Sequence, residues 1–78
     1  PSPQEKIDIA VLHMDRLIAL KGERVAVKEM RKHLAWYLKG LPGTARLKDR
    51  IMEETSRDNM VRMLGEYVES LESAVSLA

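Results

Sequence analysis

The amino-acid sequence predicts an all-α fold, a compact four-helix bundle. Every apolar segment of the 78 residues follows the three-to-four-residue spacing of a helix with one buried face. No segment shows a sustained alternation of apolar and polar residues, which a strand would need. The links between the four helical patterns are short, as between neighbouring helices of a bundle. We therefore expect one domain over residues 1–78, with helices at about 3–21, 24–39, 45–54 and 57–76.

The first helix has a complete start signal. Ser2 can cap it, Pro3 occupies the first helical position, where a missing N–H costs nothing, and Glu5 completes a capping box. Gly22 follows the basic residue of the last turn and ends the helix. Its core side is predicted to consist of Ile7, Ala10, Val11, Met14, Leu17 and Ile18.

The second helix starts at Glu23 or Arg24, directly after this break, and ends at Lys39. Gly40 stops it, and Pro42 disfavours helical geometry in the residue before it. The buried face is predicted to consist of Val27, Met30, Leu34, Tyr37, Leu38 and Leu41.

The third helix is expected to be capped by Thr44, and the fourth by Thr55 or Ser56, with Asp58 in its first turn. Gly65, inside the fourth helix, is interpreted as a close approach between helices. The core side of the third helix is predicted to be Leu47 and Ile51, widened by Ala45 and Met52. That of the fourth is predicted to be Met60, Leu64, Tyr67, Val68, Leu71, Val75 and Ala78.

Composition excludes several classes of protein. The absence of cysteine rules out disulfides and thiolate metal sites, and it fits the cytoplasmic location that we expect. No apolar run approaches the roughly 20 residues of a membrane span, so no membrane partner is predicted. The two imidazoles, His13 and His33, have no companion at ligand spacing, and we predict no metal site. No acid–base, nucleophilic or phosphate-cradling pattern is present, so no catalytic residue is predicted.

Charge is segregated along the chain, although the net charge is only +1. Residues 28–50 hold seven cationic and two acidic residues, a local charge of +5, whereas the remainder holds six and ten. On the second helix, Lys28, Lys32 and Lys39 form a stripe beside Trp36, with Arg31 on its flank. Arg46 and Arg50 share a face of the third helix and can join the same surface. Cations next to an exposed aromatic ring are suited to phosphates and to stacking on a sugar or base.

A simpler interpretation of this stripe is a solvated helix face, with Trp36 covering the edge of the core. Two further functions are also considered. The basic face could dock on an acidic protein partner, or the third helix could enter the major groove of DNA in a helix-turn-helix. The last is disfavoured because that helix has no Asn or Gln to read adenine.

A resemblance to a known family rests on Met30–Ala45, which reads MRKHLAWYLKGLPGTA, together with Arg50. This segment resembles the start of the C-terminal helical domain of bacterial tRNA-dihydrouridine synthases, in the subfamily once described as nitrogen-regulation-protein-like. The resemblance implies a tRNA-holding domain joined to a catalytic (β/α)8 barrel. That barrel uses FMN and NADPH to reduce uridines in tRNA.

The resemblance therefore implies a domain fragment that lacks the barrel, binds no cofactor of its own and catalyses nothing. Its partners would be tRNA and the barrel of the parent chain. Arg31, Lys32 and Lys39 lie inside the matching segment, whereas Arg46 and Arg50 match more loosely. Lys28 and Lys48 depend on charge alone. The predicted RNA-binding residues are Lys28, Arg31, Lys32, Trp36, Lys39, Arg46 and Arg50.

Overall fold

The computed structural model describes the backbone of residues 2–77 and the side chains of residues 2–74. Four helices and no strand occur in this part of the chain, which confirms the predicted all-α bundle. The helices are α1 (Pro3–Lys21), α2 (Glu23–Tyr37), α3 (Ala45–Ile51) and α4 (Arg57–Leu77). Within residues 2–77, no helix combines the length and apolar character that a membrane crossing requires.

The pairing of α1 with α2 follows from a one-residue link. Gly22 bonds back to the Ile18 carbonyl at 2.8 Å, while its own carbonyl accepts from Ala26 at 3.0 Å. Its φ of 86° and ψ of 159° suit glycine alone, so the chain reverses direction there. The two helices run antiparallel, because residues later in α1 meet residues earlier in α2. Lys21 contacts Glu29, whereas His13 contacts His33. As predicted, the hydroxyl of Ser2 accepts from the Glu5 N–H, at 3.1 Å.

The core lies where the apolar faces of all four helices meet. Among the described side chains, each predicted core side is buried or packed against the buried cluster, with exceptions at the third helix. On α3, Ala45 and Met52 are exposed, so that part of the prediction is wrong. Val75 and Ala78 lie outside the described side chains. The fully buried side chains of largest volume are Met14, Val27, Met30, Leu34, Leu38, Ile51, Met60 and Leu64.

Two helices end earlier than predicted. The α2 helix ends at Tyr37, because Lys39 bonds the Trp36 carbonyl three residues back and Gly40 turns the chain at a φ of 84°. The α3 helix ends at Ile51 rather than at Glu54. There the backbone N–H groups of Glu53 and Glu54 each donate to the carbonyl three residues back, which makes a tighter turn than that of an α-helix. Met52 is 57% exposed, so no core contact favours another helical turn.

The start of α4 is held by side chains on both sides of the link. Ser56, one of the two predicted caps, accepts from the Asn59 N–H at 3.3 Å. The Glu54 carboxylate accepts from the N–H groups of Ser56 and Thr55, each at 3.0 Å. The bonds to the carboxylate, above all the one from the Ser56 N–H, lower the pKa of Glu54. The expected cap at Thr44 is wrong in detail, since its side chain makes no capping bond.

Tyr67 fastens the turn between α2 and α3 to the fourth helix. Its buried hydroxyl donates to the Pro42 carbonyl, at the centre of the Gly40–Gly43 turn. Burial raises the pKa of this phenol above its usual value. The expected close approach at Gly65 is absent, because a Cβ built there meets no atom within 4 Å.

Candidate nucleic-acid interface

The exposed face of α2 carries the cationic stripe. Val27, Met30 and Leu34 fix the orientation of the helix by burying the opposite face, and Lys28 and Lys32 therefore point to solvent. Among the side chains that the structure describes, the ion pairs involve only the cations Lys21 and Arg57. The ammonium groups of Lys28 and Lys32 thus have no carboxylate partner in this part of the chain and can take an anionic ligand.

Trp36 lies on the same face and is 76% exposed. It therefore does not cover the edge of the core, and that simpler interpretation of its role is wrong. The Lys39 Nζ lies 5.3 Å from the centre of the indole ring, within the range of a cation–π contact. Lys39 follows the end of α2, so the turn, rather than a helical register, places it beside the ring.

A groove of about 410 Å³ separates α1 from the Trp36 side of α2. It is lined by Lys6, Ile9, His33, Trp36 and Tyr37. Three of these five residues carry rings, and the lysine supplies a cation at the rim. Such a groove offers aromatic contact area beside positive charge.

A second groove, of about 620 Å³, lies further along α2, and His33 lines both grooves. The second groove contains Lys28 and Lys32, so the two form one surface along the helix. Glu29 also lines it, but its carboxylate is bound to Lys21 at 2.8 Å. That bond is the main cause of its lowered pKa. The charge left for a ligand is therefore positive.

The two histidines, treated as unrelated in the sequence, are neighbours across α1 and α2. The centres of the His13 and His33 rings lie 4.7 Å apart, with their planes at 58°. The Tyr37 hydroxyl is 3.4 Å from the His13 Nδ1, so a third ring contacts the pair. Each histidine directly precedes a core residue, Met14 or Leu34. This position at the edge of the core is the feature of the sequence that could have indicated the contact. Among the described residues, no group of three or more potential ligands could hold a metal ion.

Arg31 has a structural contact that the sequence did not indicate. Its Nε and Nη2 donate to the Glu54 carbonyl, at 3.1 and 2.8 Å. This fork ties α2 to the link before α4, across 23 residues of chain. Two of the guanidinium nitrogens are therefore already engaged, and Arg31 is less available to a ligand than Lys28 or Lys32.

Arg46 and Arg50 are exposed, but they face α4. They line a groove of about 260 Å³, which Glu66 and Tyr67 also line. No residue of α2 lines it, so this groove does not connect the two arginines to the α2 stripe. The two arginines form a separate patch, which acidic side chains flank: Glu66 lines the same groove, and Glu53 and Glu54 line another groove with Arg50.

Comparison with protein-family models identifies a match over residues 1–75, to the family described as dihydrouridine synthase. A probable tRNA-dihydrouridine synthase of Rhizobium leguminosarum is 44% identical over an alignment of 62 residues, with 74% of this chain and 18% of that protein covered. One from Synechocystis is 39% identical over 56 residues, covering 72% and 16%. One from Rickettsia typhi is 42% identical over 48 residues, covering 62% and 15%.

The chain thus spans less than a fifth of the length of these relatives. No solved structure matches it at the same level of significance.

Proposed function

Because this chain belongs to the dihydrouridine synthase family, we propose that it is the tRNA-binding domain of a flavin-dependent tRNA-dihydrouridine synthase. In this proposal it corresponds to the C-terminal helical domain and positions tRNA for a catalytic barrel elsewhere in the parent chain. It catalyses no step itself. The observation that carries the proposal is the stripe of Lys28 and Lys32, continued by Lys39 beside Trp36. Among the described side chains, no carboxylate pairs with Lys28 or Lys32.

Electrostatics favour the phosphate backbone as the ligand of this stripe. Lysine ammonium groups act as point charges toward phosphate oxygens, and each contact releases counterions from the RNA. The stripe provides three such groups, and the Arg46–Arg50 patch provides two more for another stretch of backbone. With about four to six contacts, the logarithm of the binding constant would fall with the logarithm of salt at a slope of roughly −3 to −5.

The flavin and the nicotinamide cofactor are assigned to the barrel. FMN needs a site that encloses an isoalloxazine ring and cradles a phosphate. The grooves described above are open, and the glycines of the chain match no phosphate-cradling motif. The residues described here therefore do not fit FMN, and no part of the reduction is assigned to them.

The test is binding of the 78-residue chain to unmodified tRNA across a salt series. The informative variant changes Lys28 and Lys32 to Gln, and the matched control changes Arg16 and Arg62 to Gln, which are exposed cations outside α2 that line neither of its grooves. Both variants lose the same net charge. We expect the first to reduce both the affinity and the salt slope, and the control to change neither by much. A slope near zero, or equal losses in both variants, contradicts the proposal.

Protein docking is a second candidate, because several apolar side chains of α1 are exposed. Leu12 is about half exposed and Leu20 is 79% exposed, and neither lines the groove beside Trp36. This surface suits contact with the parent barrel or another protein. Competition with excess tRNA distinguishes the two surfaces. It should displace a protein that is bound at the basic stripe, and it should leave in place a protein that is bound at the apolar face of α1. A helix-turn-helix function has less support, because α3 has only seven residues.

A further inference from the structure

We propose that the groove between α1 and α2 holds a single unpaired nucleobase, so that this domain binds RNA best where one nucleotide leaves the stack. This inference depends on the proposed tRNA-binding function and adds to it the kind of RNA segment that is recognised. Phosphate contacts alone would not distinguish a continuous duplex from an interrupted one. The groove adds a contact that only an unpaired base can use.

The first argument is the exposure of Trp36. An indole ring that is 76% exposed leaves a large apolar area in water, which is unfavourable unless the ring meets a ligand. Stacking of a base on an aromatic ring is the main apolar contact of proteins that bind single strands. The Lys39 ammonium, 5.3 Å from the ring centre, is close enough for its charge to meet the phosphate of a stacked nucleotide.

The second argument is the lining of the groove. Ile9 and Tyr37 provide its apolar wall, and the ring of His33 provides a nitrogen for the edge of a base. His33 is held against His13, whose Nδ1 is 3.4 Å from the Tyr37 hydroxyl. The wall is therefore supported by packed residues of both helices, which gives the groove a defined shape. Its volume of about 410 Å³ lies within the range of about 300–1,000 Å³ that small-ligand pockets occupy.

The third argument is the charge around the groove. Lys6 lines it from α1, and Lys32 lies in the adjoining groove that shares His33. The nearest acidic group of that surface, Glu29, is neutralised by Lys21. A nucleotide can thus place its base against Trp36 while the phosphates on either side meet lysines. A neutral peptide would use the apolar wall but would not need cations on both flanks.

The experiment uses three hairpin RNAs with the same stem, each closed by a non-nucleotide linker so that the loop offers no base: one fully paired, one with a single bulged nucleotide, and one with an abasic bulge. The abasic bulge bends the backbone in the same way but supplies no base. Trp36 is the only tryptophan, so its fluorescence reports contact directly. We expect the bulged hairpin to bind roughly tenfold more tightly than the other two and to quench this emission.

Variants separate the groove from the stripe. Trp36→Ala is expected to remove the preference for the bulge and to keep the salt dependence, whereas Met52→Ala, at an exposed residue outside the groove, should keep both. Equal, salt-dependent binding of all three hairpins would overturn the inference and leave the proposed function standing. No binding of any hairpin would overturn both. A preference for the abasic bulge equal to that for the nucleotide bulge would mean that bending, rather than a base, is recognised.

Discussion

Arg57 holds Asp15 by two parallel hydrogen bonds, with its Nε and Nη2 at 2.9 and 3.0 Å from the two carboxylate oxygens. The pair joins the first residue of α4 to the middle of α1, across 42 residues of chain. The backbone N–H of Arg57 also donates to the Glu23 carboxylate at 3.4 Å. One residue thus positions the start of α4 against α1 and the beginning of α2.

The first prediction concerns pH. The hydrogen bond from Arg57 lowers the pKa of Asp15, against a smaller opposing effect of burial. A carboxyl whose folded-state pKa is depressed stabilises the fold above its unfolded-state pKa, near 4, and this stabilisation is lost as pH falls through the folded-state value. Asp15→Asn should therefore lower the free energy of unfolding by about 0.5–1 kcal/mol at pH 7, because the pair is partly exposed. Urea titrations at pH 7 and below pH 4 measure the difference.

The matched control is Asp58→Asn. Asp58 also contacts Arg57, at 3.2 Å, but its side chain is 90% exposed. We expect it to change the free energy of unfolding by much less than Asp15→Asn. If both variants lose equal stability, or if the loss in Asp15→Asn persists at low pH, the paired hydrogen bonds between Arg57 and Asp15 are not the cause of the lost stability.

The second prediction separates the structural role of Arg31 from RNA binding. Arg31→Gln removes both donors from the Glu54 carbonyl and should lower the free energy of unfolding by about 1–2 kcal/mol. Lys32→Gln, one residue along the same helix, should leave stability unchanged within about 0.5 kcal/mol, because its side chain is exposed. Thermal or urea unfolding of the two variants measures this.

RNA binding gives the reverse order for the same pair. Lys32 has no carboxylate partner among the described side chains, so Lys32→Gln should reduce affinity for tRNA more than Arg31→Gln does, at a temperature where both variants are folded. Equal stability of the two variants would contradict the bracing role of Arg31. A greater loss of affinity in folded Arg31→Gln would instead place Arg31 in the interface itself.

The fold was predictable because each helix shows its pattern locally. Ser2, Pro3 and Gly22 mark the ends of α1, and the apolar spacing marks the buried faces. The early end of α3 was not predictable, because Met52 is apolar and extends the helical spacing. Whether such a residue finds a core partner depends on where the neighbouring helices lie, and in the structure it finds none.

The candidate site was only partly predictable, for a similar reason. The alignment of Lys28 and Lys32 follows from their spacing on one helix. The contact between His13 and His33 depends on how two helices pair, and the bond from Arg31 to the Glu54 carbonyl depends on a loop 23 residues away. Spacing within one helix carries no information about either contact. Residue type gave no sign of the bond from Arg31, since a cation in a basic segment suggests a ligand contact rather than a bond to a backbone carbonyl.

The third prediction compares two glycines that have equally open surroundings. A Cβ added at Gly22 or at Gly65 meets no atom within 4 Å, so sterics with neighbours cannot distinguish them. Their backbone conformations distinguish them, because Gly65 lies inside α4 whereas Gly22 has a φ of 86° and a ψ of 159°. Gly65→Ala should raise the free energy of unfolding by about 0.5–1 kcal/mol, through a lower entropy of the unfolded chain and a better helix propensity.

Gly22→Ala should have the opposite sign. Its backbone region is one that residues with a side chain avoid, so alanine should cost about 1–3 kcal/mol unless the link between α1 and α2 rearranges. Urea unfolding of the two single variants and of the double variant measures both effects. The two sites share no contact, so the changes should add within about 0.5 kcal/mol. A destabilising Gly65→Ala would mean that α4 meets a surface there in solution, such as a second copy or the parent chain, that the isolated bundle leaves open.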